Sequence, residues 1–177
     1  MNNKNIYKAL CEYGEAVIEI YRAKLQQNNK NYTSELSRSL TLDYEGLQRD
    51  LDNNAPVINL VLIAADHIEQ VEEGRLPTKN SGTGELQQKI LEWIEKKPII
   101  PRLSGNGTLP TNKQLAFLIS RKIHTEGYHG TGLLKEAIEE AHAKFIDKIY
   151  VAIEQDVSDY VKVAIDTTIL NMFQKMG

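Results

Sequence analysis

The sequence predicts an α+β fold, in which a small, mostly antiparallel sheet is packed by helices, among them a long N-terminal helix and an extended C-terminal helix. Apolar residues recur every three or four positions near the start of the chain and over most of the part beyond residue 84, which is the spacing of a helix face. Two short stretches between these regions have the apolar patterns of strands. The 177 residues suffice for one ordinary domain, since domains usually contain about 100–150 residues.

The first element is predicted to be an amphipathic helix over Ile6–Leu25. Its end is expected near Asn28 and Asn29, because asparagine tolerates the left-handed conformation that often terminates helices. The apolar face of this helix consists of Ile6, Leu10, Tyr13, Val17, Ile20, Tyr21 and Leu25.

Two strands are predicted next, over Leu36–Tyr44 and Val57–Ala65. Apolar and polar side chains alternate in the first, which is typical of a half-buried strand, although Arg38 interrupts its apolar side. The second is almost continuously apolar, which predicts that both of its faces are covered. Because the two stretches are close in sequence, we expect them to pair in an antiparallel sheet.

Two shorter helices are predicted over Glu85–Lys96 and Asn112–Glu126. The first should end before Pro98, because a residue that precedes proline disfavours the helical conformation. The second begins with a capping-box pattern, in which the side chains of Thr111 and Gln114 each bind the other residue's backbone N–H group.

The last helix is predicted to begin at Leu133, so that the chain consists of a body domain, residues 1–132, and a helical extension, residues 133–177. If unbroken, this helix would be some 60 Å long at about 1.5 Å per residue, and its own small domain could not cover it. It therefore needs a partner or a break. The break is expected at Asp156–Asp159, where Asp156 or Ser158 could cap a new helix, and a strand over Tyr160–Ile169 is the alternative.

Composition and charge exclude several classes of function. The net charge of −3, from 21 basic and 24 acidic residues, supplies no positive field that would hold nucleic acid, so nucleic acid is not an expected partner. A single cysteine, Cys11, excludes an internal disulfide framework. The polar segment Met1–Lys8 is unlike a signal peptide, and the run Val57–Ala65 is far shorter than the ~20 residues of a membrane helix. We expect no membrane contact and a location in the cytoplasm of a cell, or of a cell in which a virus assembles.

The residue patterns do not indicate catalysis. His67 lies among acidic residues without a recognised metal-ligand spacing, and Cys11 is interpreted as a buried thiol on an apolar helix face. The Gly-x-Gly turns at residues 82, 105 and 130 lack the flanking strand, helix and further residues of a phosphate-binding loop. We therefore expect a protein that is not an enzyme, with no catalytic residue, cofactor or metal.

Five short motifs follow one another in order along the chain. They are Ser34–Leu40, the segment Val71–Pro77 with the sequence Val-Glu-Glu-Gly-Arg-Leu-Pro, the pair Trp93-Ile94, the segment Ala116–Ile123 and the turn Gly130-Thr131. In this order and spacing they resemble tail-completion and head–tail connector proteins, which form the neck of tailed bacteriophages. Ile68 and Val71 stand where that family usually has tyrosine.

The resemblance implies a structural virion protein that forms a homo-oligomeric ring at the portal–tail junction and joins the capsid to the tail. Its partners would be copies of itself, the portal or adaptor ring, and tail proteins. Its location would be the neck or tail of the virion, and the host cytoplasm before assembly. Two alternatives from other classes stay open: a small hydrolase or nucleotide-binding enzyme of the infected cell, and a helical DNA-binding or regulatory module.

Three segments are candidate interfaces of such a ring. The turn at Glu72–Pro77 combines Arg75, whose planar guanidinium binds carboxylates, with Gly74, which lets backbones approach closely. The long loop between Pro98 and Pro110 could reach a neighbouring ring, and the segment Ile149–Phe173 would pack on an adjacent subunit or connector. The candidate interface residues are Glu72, Glu73, Gly74, Arg75, Pro77, Gly105, Asn106, Gly107, Val161, Ile165, Ile169 and Phe173.

Overall fold

The computed structural model describes residues 3–28, 35–78, 84–96, 99, 101 and 109–176, with side chains in the last helix up to residue 168. This part of the chain is mostly helical and contains small antiparallel sheets of two strands each, which is compatible with the expected α+β class. In chain order the elements are α1 (Lys4–Gln27), α2 (Glu35–Ser39), β1 (Thr41–Leu42), α3 (Tyr44–Asp52), β2 (Leu62–Ile63), α4 (Ile68–Glu72), β3 (Gly74–Arg75), α5 (Glu85–Lys96), α6 (Asn112–Glu126), β4 (Tyr128–His129) and α7 (Leu133–Met176).

The chain divides into two compact units. Unit 1 comprises Met1–Asp66 and Leu133–Gly177, and unit 2 comprises His67–Gly132. Unit 1 is built on α1 and α7, which lie side by side in opposite directions: Lys24, near the end of α1, contacts Glu136 near the start of α7, and Asn5 contacts Asp156. Of the α1 face that the sequence predicts, Val17, Tyr21 and Leu25 are buried and the other four residues are half-buried. The helix ends at Gln27, next to the expected Asn28, but Asn28 has a φ of −86° and not the expected left-handed conformation.

The interface between α1 and α7 is close because α7 presents small residues to it. Ala137, Ala141 and Ala152 are buried on α7, and the largest fully buried side chain of α1 is Tyr21. Small side chains let two helix axes approach, so that dispersion contacts form along their whole shared length.

The predicted strand over Leu36–Tyr44 is wrong for all but two of its residues. A short helix, α2, precedes β1, and α3 begins at Tyr44, because the Asp43 carboxylate accepts a hydrogen bond from the Gly46 N–H at 2.9 Å and caps that helix. The buried pair Leu36 and Leu40 is four residues apart, a spacing that a helix face and one side of a strand share.

The predicted strand over Val57–Ala65 is likewise reduced to Leu62 and Ile63. Its expected cover on both faces is wrong, since Val57 is 66% exposed and Val61 and Ile63 are about half exposed. The predicted antiparallel pairing is confirmed where the strands exist: Thr41 lies opposite Ile63 and Leu42 opposite Leu62.

Unit 2 has its own core between α5 and α6, and both helices have the predicted bounds. Ile90, Ile94 and Ala116 are buried at its centre. The predicted capping box is also confirmed, because Thr111 Oγ1 accepts from the Gln114 N–H at 3.3 Å and Gln114 Oε1 accepts from the Thr111 N–H at 2.9 Å.

Thr111→Ala is expected to lower the free energy of unfolding of unit 2 by about 1 kcal/mol. The Gln114 N–H loses its acceptor, the Thr111 hydroxyl, and the Gln114 side chain is no longer held in place to accept from the N–H of residue 111. Urea unfolding followed by the fluorescence of Trp93, the single tryptophan of the chain, measures this change within unit 2. Thr125→Ala, in the exposed last turn of the same helix, is the matched control and should change the stability by less than about 0.5 kcal/mol. Equal effects of the two substitutions would contradict the capping role.

The C-terminal helix α7 is continuous over its 44 residues, so the break predicted at Asp156–Asp159 and the alternative strand over Tyr160–Ile169 are both wrong. Its length is about 66 Å at about 1.5 Å per residue, whereas the 24 residues of α1 extend over about 36 Å. Asp156, expected to cap a new helix, lies beside the first turn of α1 instead. The last 20 residues of α7 therefore extend beyond the start of α1.

Candidate functional site

The predicted interface turn at Glu72–Pro77 is held within unit 2 by close backbone packing. Gly74 and Arg75 form β3 and pair with Tyr128 and His129 of β4. Gly74 has a φ of +83°, which favours glycine, and a Cβ on it would overlap the Tyr128 carbonyl oxygen. Gly74 does permit a close approach of backbones, but the approaching backbone belongs to the same chain, so the interface role expected of Gly74 stays a prediction.

Two further glycines complete this arrangement, which we call the glycine clamp (Gly74, Gly127 and Gly130). A Cβ on Gly130 would overlap the Glu72 carbonyl oxygen, and one on Gly127 would overlap the Arg75 carbonyl oxygen. The backbone N–H of Thr131 donates to the Val71 carbonyl at 2.8 Å. The two segments therefore touch along their main chains, where no side chain would fit.

Glu72 has a structural contact in the clamp. Its carboxylate accepts a hydrogen bond from the Thr131 hydroxyl at 2.8 Å, and its carbonyl oxygen accepts from the Gly132 N–H at 3.2 Å. Glu72 is half-buried by these contacts, whereas the neighbouring Glu73 is exposed. Of the predicted turn residues, Glu72 thus makes contacts that stabilise the fold of unit 2.

The outer side of the turn presents Glu73, Arg75, Leu76 and Pro77. Leu76 is 83% exposed, and Pro77 is exposed beside it. Within the described residues, the half-buried guanidinium of Arg75 has no ion pair or hydrogen-bond partner. An exposed leucine beside such an arginine could contact an apolar and acidic surface. The predicted loop residues Gly105, Asn106 and Gly107 lie outside the described residues.

In unit 1, charged groups fix the register of α7 on α1 at one end. Lys24 Nζ lies 3.1 Å from Glu136 Oε2 and 3.5 Å from Glu140 Oε2. The hydrogen bond with Glu136 raises the pKa of Lys24, whereas Lys144 and then Lys24 lower the pKa of Glu140. Because these ion pairs are partly exposed, they add little to the free energy of unfolding, and their main effect is to set the register of α7 against α1.

Asp156 fixes the other end. Its side chain is only 2% exposed, and its two carboxylate oxygens accept from the N–H of Ile6 at 2.9 Å, the N–H of Asn5 at 3.2 Å and the Asn5 side-chain amide at 2.7 Å. Asn3, at the N-cap position of α1, makes no side-chain cap, and its amide donates to the Leu51 carbonyl at 2.7 Å. A residue 150 positions away along the chain therefore caps α1.

On both sides of Asp156 along the chain, α7 carries an exposed apolar surface, the main candidate site of the molecule. Tyr150 is 64% exposed, Val157 44% and Tyr160 54%. We call the row that these residues belong to the apolar seam; its members are Ile146, Tyr150, Ile153, Val157, Tyr160 and Ala164.

The apolar seam faces away from α1. Each residue turns a helix by about 100°, which places the seam roughly 120° around α7 from the face that Ala141 and Ala152 bury against α1. On the α1 side of the same stretch, Gln155, Asp159, Lys162 and Asp166 are polar, and Val163 is an exposed apolar residue. The helix thus has one apolar face that is buried from Ala137 to Ala152, and a different one, uncovered by the described residues of this chain, from Ile146 to Ala164.

Of the α7 residues predicted at an interface, Val161 and Ile165 are about half exposed beside the seam. The side chains of Ile169 and Phe173 lie outside the described residues. The seam was missed because the predicted interface residues of α7, from Val161 to Phe173, are spaced in steps of four. Steps of four advance about 40° each, so that such a row winds from the buried face to the exposed one. Alternating steps of four and three were the signal that could have found the seam.

Comparison with known proteins found no match: neither a family model, nor a curated protein, nor a solved structure matches this chain. The resemblance to neck proteins accordingly rests on the sequence motifs alone, and the function it implies is treated below as a proposal.

Other polar groups of unit 1 surround Cys11. The Tyr44 hydroxyl donates to Glu15 Oε1 at 2.9 Å. Burial raises the pKa of the half-buried Cys11 thiol, and Glu15 acts in the same direction, while a hydrogen bond with Tyr7 opposes them. Cys11 is half-buried, whereas a buried thiol was expected, and a thiol with a raised pKa is a weak nucleophile at neutral pH.

Unit 2 contains a cavity of about 400 Å³ lined by Phe117, Arg121 and His124 among others. His124 Nδ1 is hydrogen-bonded to the Thr78 hydroxyl there. Across the described part of the chain, no group of three or more His, Cys, Asp or Glu side chains is placed to hold a metal ion. No helix in that part is long and apolar enough to cross a membrane.

Proposed function

We propose that this chain is a structural protein of a tailed-bacteriophage virion, a subunit of a homo-oligomeric ring at the portal–tail junction that joins the capsid to the tail. The single observation that carries the proposal is the second half of α7, which extends past its own domain and exposes Val157, Tyr160, Val161, Val163 and Ile165. Exposed apolar surfaces larger than a few hundred Å² are unusual on a monomer and typical of contact sites.

Two of the motifs behind the resemblance meet at the glycine clamp. The motif Val71–Pro77 and the turn Gly130-Thr131 are more than 50 positions apart in the chain, yet the clamp joins them main chain to main chain. Such packing explains why both motifs contain glycine at fixed places. Two of the five motifs behind the resemblance thus act as one structural part.

The chain also presents two unlike surfaces, as a closed ring requires. Copies related by a rotation that closes a ring must contact each other through two different faces. One candidate is the outer side of the turn, with Arg75, Leu76 and Pro77 on unit 2, and the other is the exposed half of α7 on unit 1. In this proposal the partners are further copies, the portal or adaptor ring and tail proteins, and the chain is not an enzyme.

A truncated chain that ends at Asp156 tests the role of α7. The cut keeps Asp156 and hence the cap of α1, which a cut before Ile149 would remove. We expect circular dichroism to show a folded protein, and electron microscopy of the particles made with it to show heads and tails that are not joined, with at least a tenfold loss of infectious virions. Ser158→Ala, in the exposed part of the full-length helix, is the control and should leave assembly unchanged.

The location itself is tested by labelling virions with an antibody against the chain. Label at the neck is the expected result. Absence of the chain from purified virions, or normal tailed particles made with the truncated chain, would contradict the proposal. Salt-sensitive binding of the purified protein to duplex DNA would instead favour the regulatory alternative, and substrate turnover the enzymatic one.

A further inference from the structure

The apolar seam has the repeat of a coiled coil. Its members, Ile146, Tyr150, Ile153, Val157, Tyr160 and Ala164, are separated by four, three, four, three and four residues. This mean spacing of 3.5 keeps a row of side chains along one line when two helices wind around each other, and it is the heptad pattern of the a and d positions. A second helix is therefore the shape that fits this surface.

The order of side chains along the seam matches its own reverse. The midpoint of the seam is at Gln155. From either end to this midpoint, the seam has first an aliphatic or small residue, then a tyrosine, then an aliphatic residue. In an antiparallel pair, Tyr150 of one copy meets Tyr160 of the other, and Ile153 meets Val157. The largest and smallest aliphatic members, Ile146 and Ala164, also meet, which keeps the interhelical distance even.

We propose that two copies of the free chain pair through the apolar seam, with their α7 helices antiparallel about a twofold axis near Gln155. A twofold contact uses the same surface on both copies, and a self-reversing pattern is what such a contact needs. The pair goes beyond the proposed ring, because it concerns the chain before assembly and does not depend on a virion.

The exposed area is sufficient for such a pair. With roughly 150–250 Å² for a fully exposed tyrosine and somewhat less for valine and isoleucine, the exposed fractions of the seam and of the flanking Val161 and Ile165 amount to about 500 Å² per copy. Two copies would remove about 1,000 Å² from water, which is where specific interfaces begin.

The charges beside the seam indicate where this pair is weakest. Glu154 flanks the seam one position from its midpoint, so that the two Glu154 carboxylates of an antiparallel pair approach each other near the twofold axis. Asp156, on the other flank, is buried against α1 and is engaged there. Lys148 and Lys162 lie on the opposite side of α7.

The first measurement is the mass of the purified full-length chain in solution, by light scattering or sedimentation at micromolar concentrations. We expect about twice the 20.0 kDa of one chain. Tyr150→Glu together with Tyr160→Glu should abolish pairing without unfolding the protein, because both side chains are exposed and glutamate is a good helix former. Lys148→Glu with Lys162→Glu is the matched control on the opposite side and should leave the mass unchanged.

The second measurement tests the direction of the helices by oxidative cross-linking with a copper oxidant in a Cys11→Ser background. Antiparallel pairing predicts that Tyr150→Cys mixed with Tyr160→Cys gives a disulfide between the two variants, while neither variant cross-links to itself. Glu154→Gln should lower the dissociation constant of the pair about threefold, because it removes a like-charge contact at the axis.

A monomer at tens of micromolar would overturn the inference, as would self-cross-linking of Tyr150→Cys, which indicates parallel helices. A larger assembly that buries the seam on another face of its neighbour would also overturn it. The two proposals can be contradicted separately. If antibody labels the neck but the free chain is a monomer, only the proposed pairing is wrong. If the free chain forms the pair but antibody does not label the neck, only the proposed virion role is wrong.

Discussion

Gly130→Ala is expected to lower the free energy of unfolding of unit 2 by about 3 kcal/mol. The added Cβ would overlap the carbonyl oxygen and carbon of Glu72, and these are main-chain atoms that no side-chain rotation can move aside. To make room, the Val71–Glu72 and Gly130–Gly132 segments must separate. The hydrogen bonds of the Thr131 and Gly132 N–H groups to Val71 and Glu72 would then lengthen or break.

Gly132→Ala separates this steric effect from backbone strain. Gly132 has a φ of +63°, but no atom lies within 4 Å of the position its Cβ would take, so only the cost of the left-handed conformation applies, about 1–2 kcal/mol. Gly130 has no positive φ, which leaves the overlap as its only cost. Urea unfolding followed by Trp93 fluorescence gives both values, and a Gly130→Ala effect no larger than that of Gly132→Ala would show that the clamp does not hold unit 2 together.

Helices α1, α5 and α6 and the start of α7 could be predicted from the sequence because their signals are local, whereas α2, α3 and α4 were not predicted. The apolar period of α1, the capping box at Thr111 and the glycine after α6 act within a few residues, and the structure has each of them at the predicted place. The ends and faces of such helices are determined by nearby backbone hydrogen bonds and caps, with little influence from the rest of the fold.

The extent of the strands was predicted wrongly, because an apolar pattern does not show where helix caps and side-chain contacts end a strand. The side chain of Asp43 caps α3 and stops β1 after Leu42, and the carboxylate of Asp50 binds the N–H of Asn59, within the stretch expected to be a strand. The apolar residues Val57, Val61 and Ile63 were taken as a sign of burial, although the chain leaves them exposed. Apolarity alone does not say which chain, or which copy, covers a residue.

The candidate site was predicted in part. Gly74 was correctly expected at a close backbone approach, but its partner, the Gly130-Thr131 turn, became visible only when the fold brought two distant motifs together. For α7, the need for cover was predicted from its length. The direction of the uncovered face required the position of α1, which only the structure supplies.

Asp156→Ala is expected to lower the free energy of unfolding of unit 1 by about 3 kcal/mol, because it removes the acceptor of three hydrogen bonds in a buried place. The N–H groups of Asn5 and Ile6 are among those that a helix cannot satisfy from within its first turn, and Asn3 does not cap them. The favourable interaction of a carboxylate with the positive end of α1 is lost as well. Urea unfolding followed by circular dichroism measures the change in unit 1.

Two further substitutions make this result specific. Asp159→Ala removes a carboxylate one turn further along α7 that is exposed and 3.8 Å from Lys162, so its effect should stay within about 0.5 kcal/mol. Asp156→Asn keeps one side-chain acceptor and should lie between the other two, at about 1–2 kcal/mol. Hydrogen exchange should show faster exchange confined to the first turn of α1 in Asp156→Asn. If Asp156→Ala lowered the free energy of unfolding no more than Asp159→Ala, the Asp156 cap would not fix the position of α7 on α1. The point at which α7 extends beyond α1 would then not be fixed by this contact either.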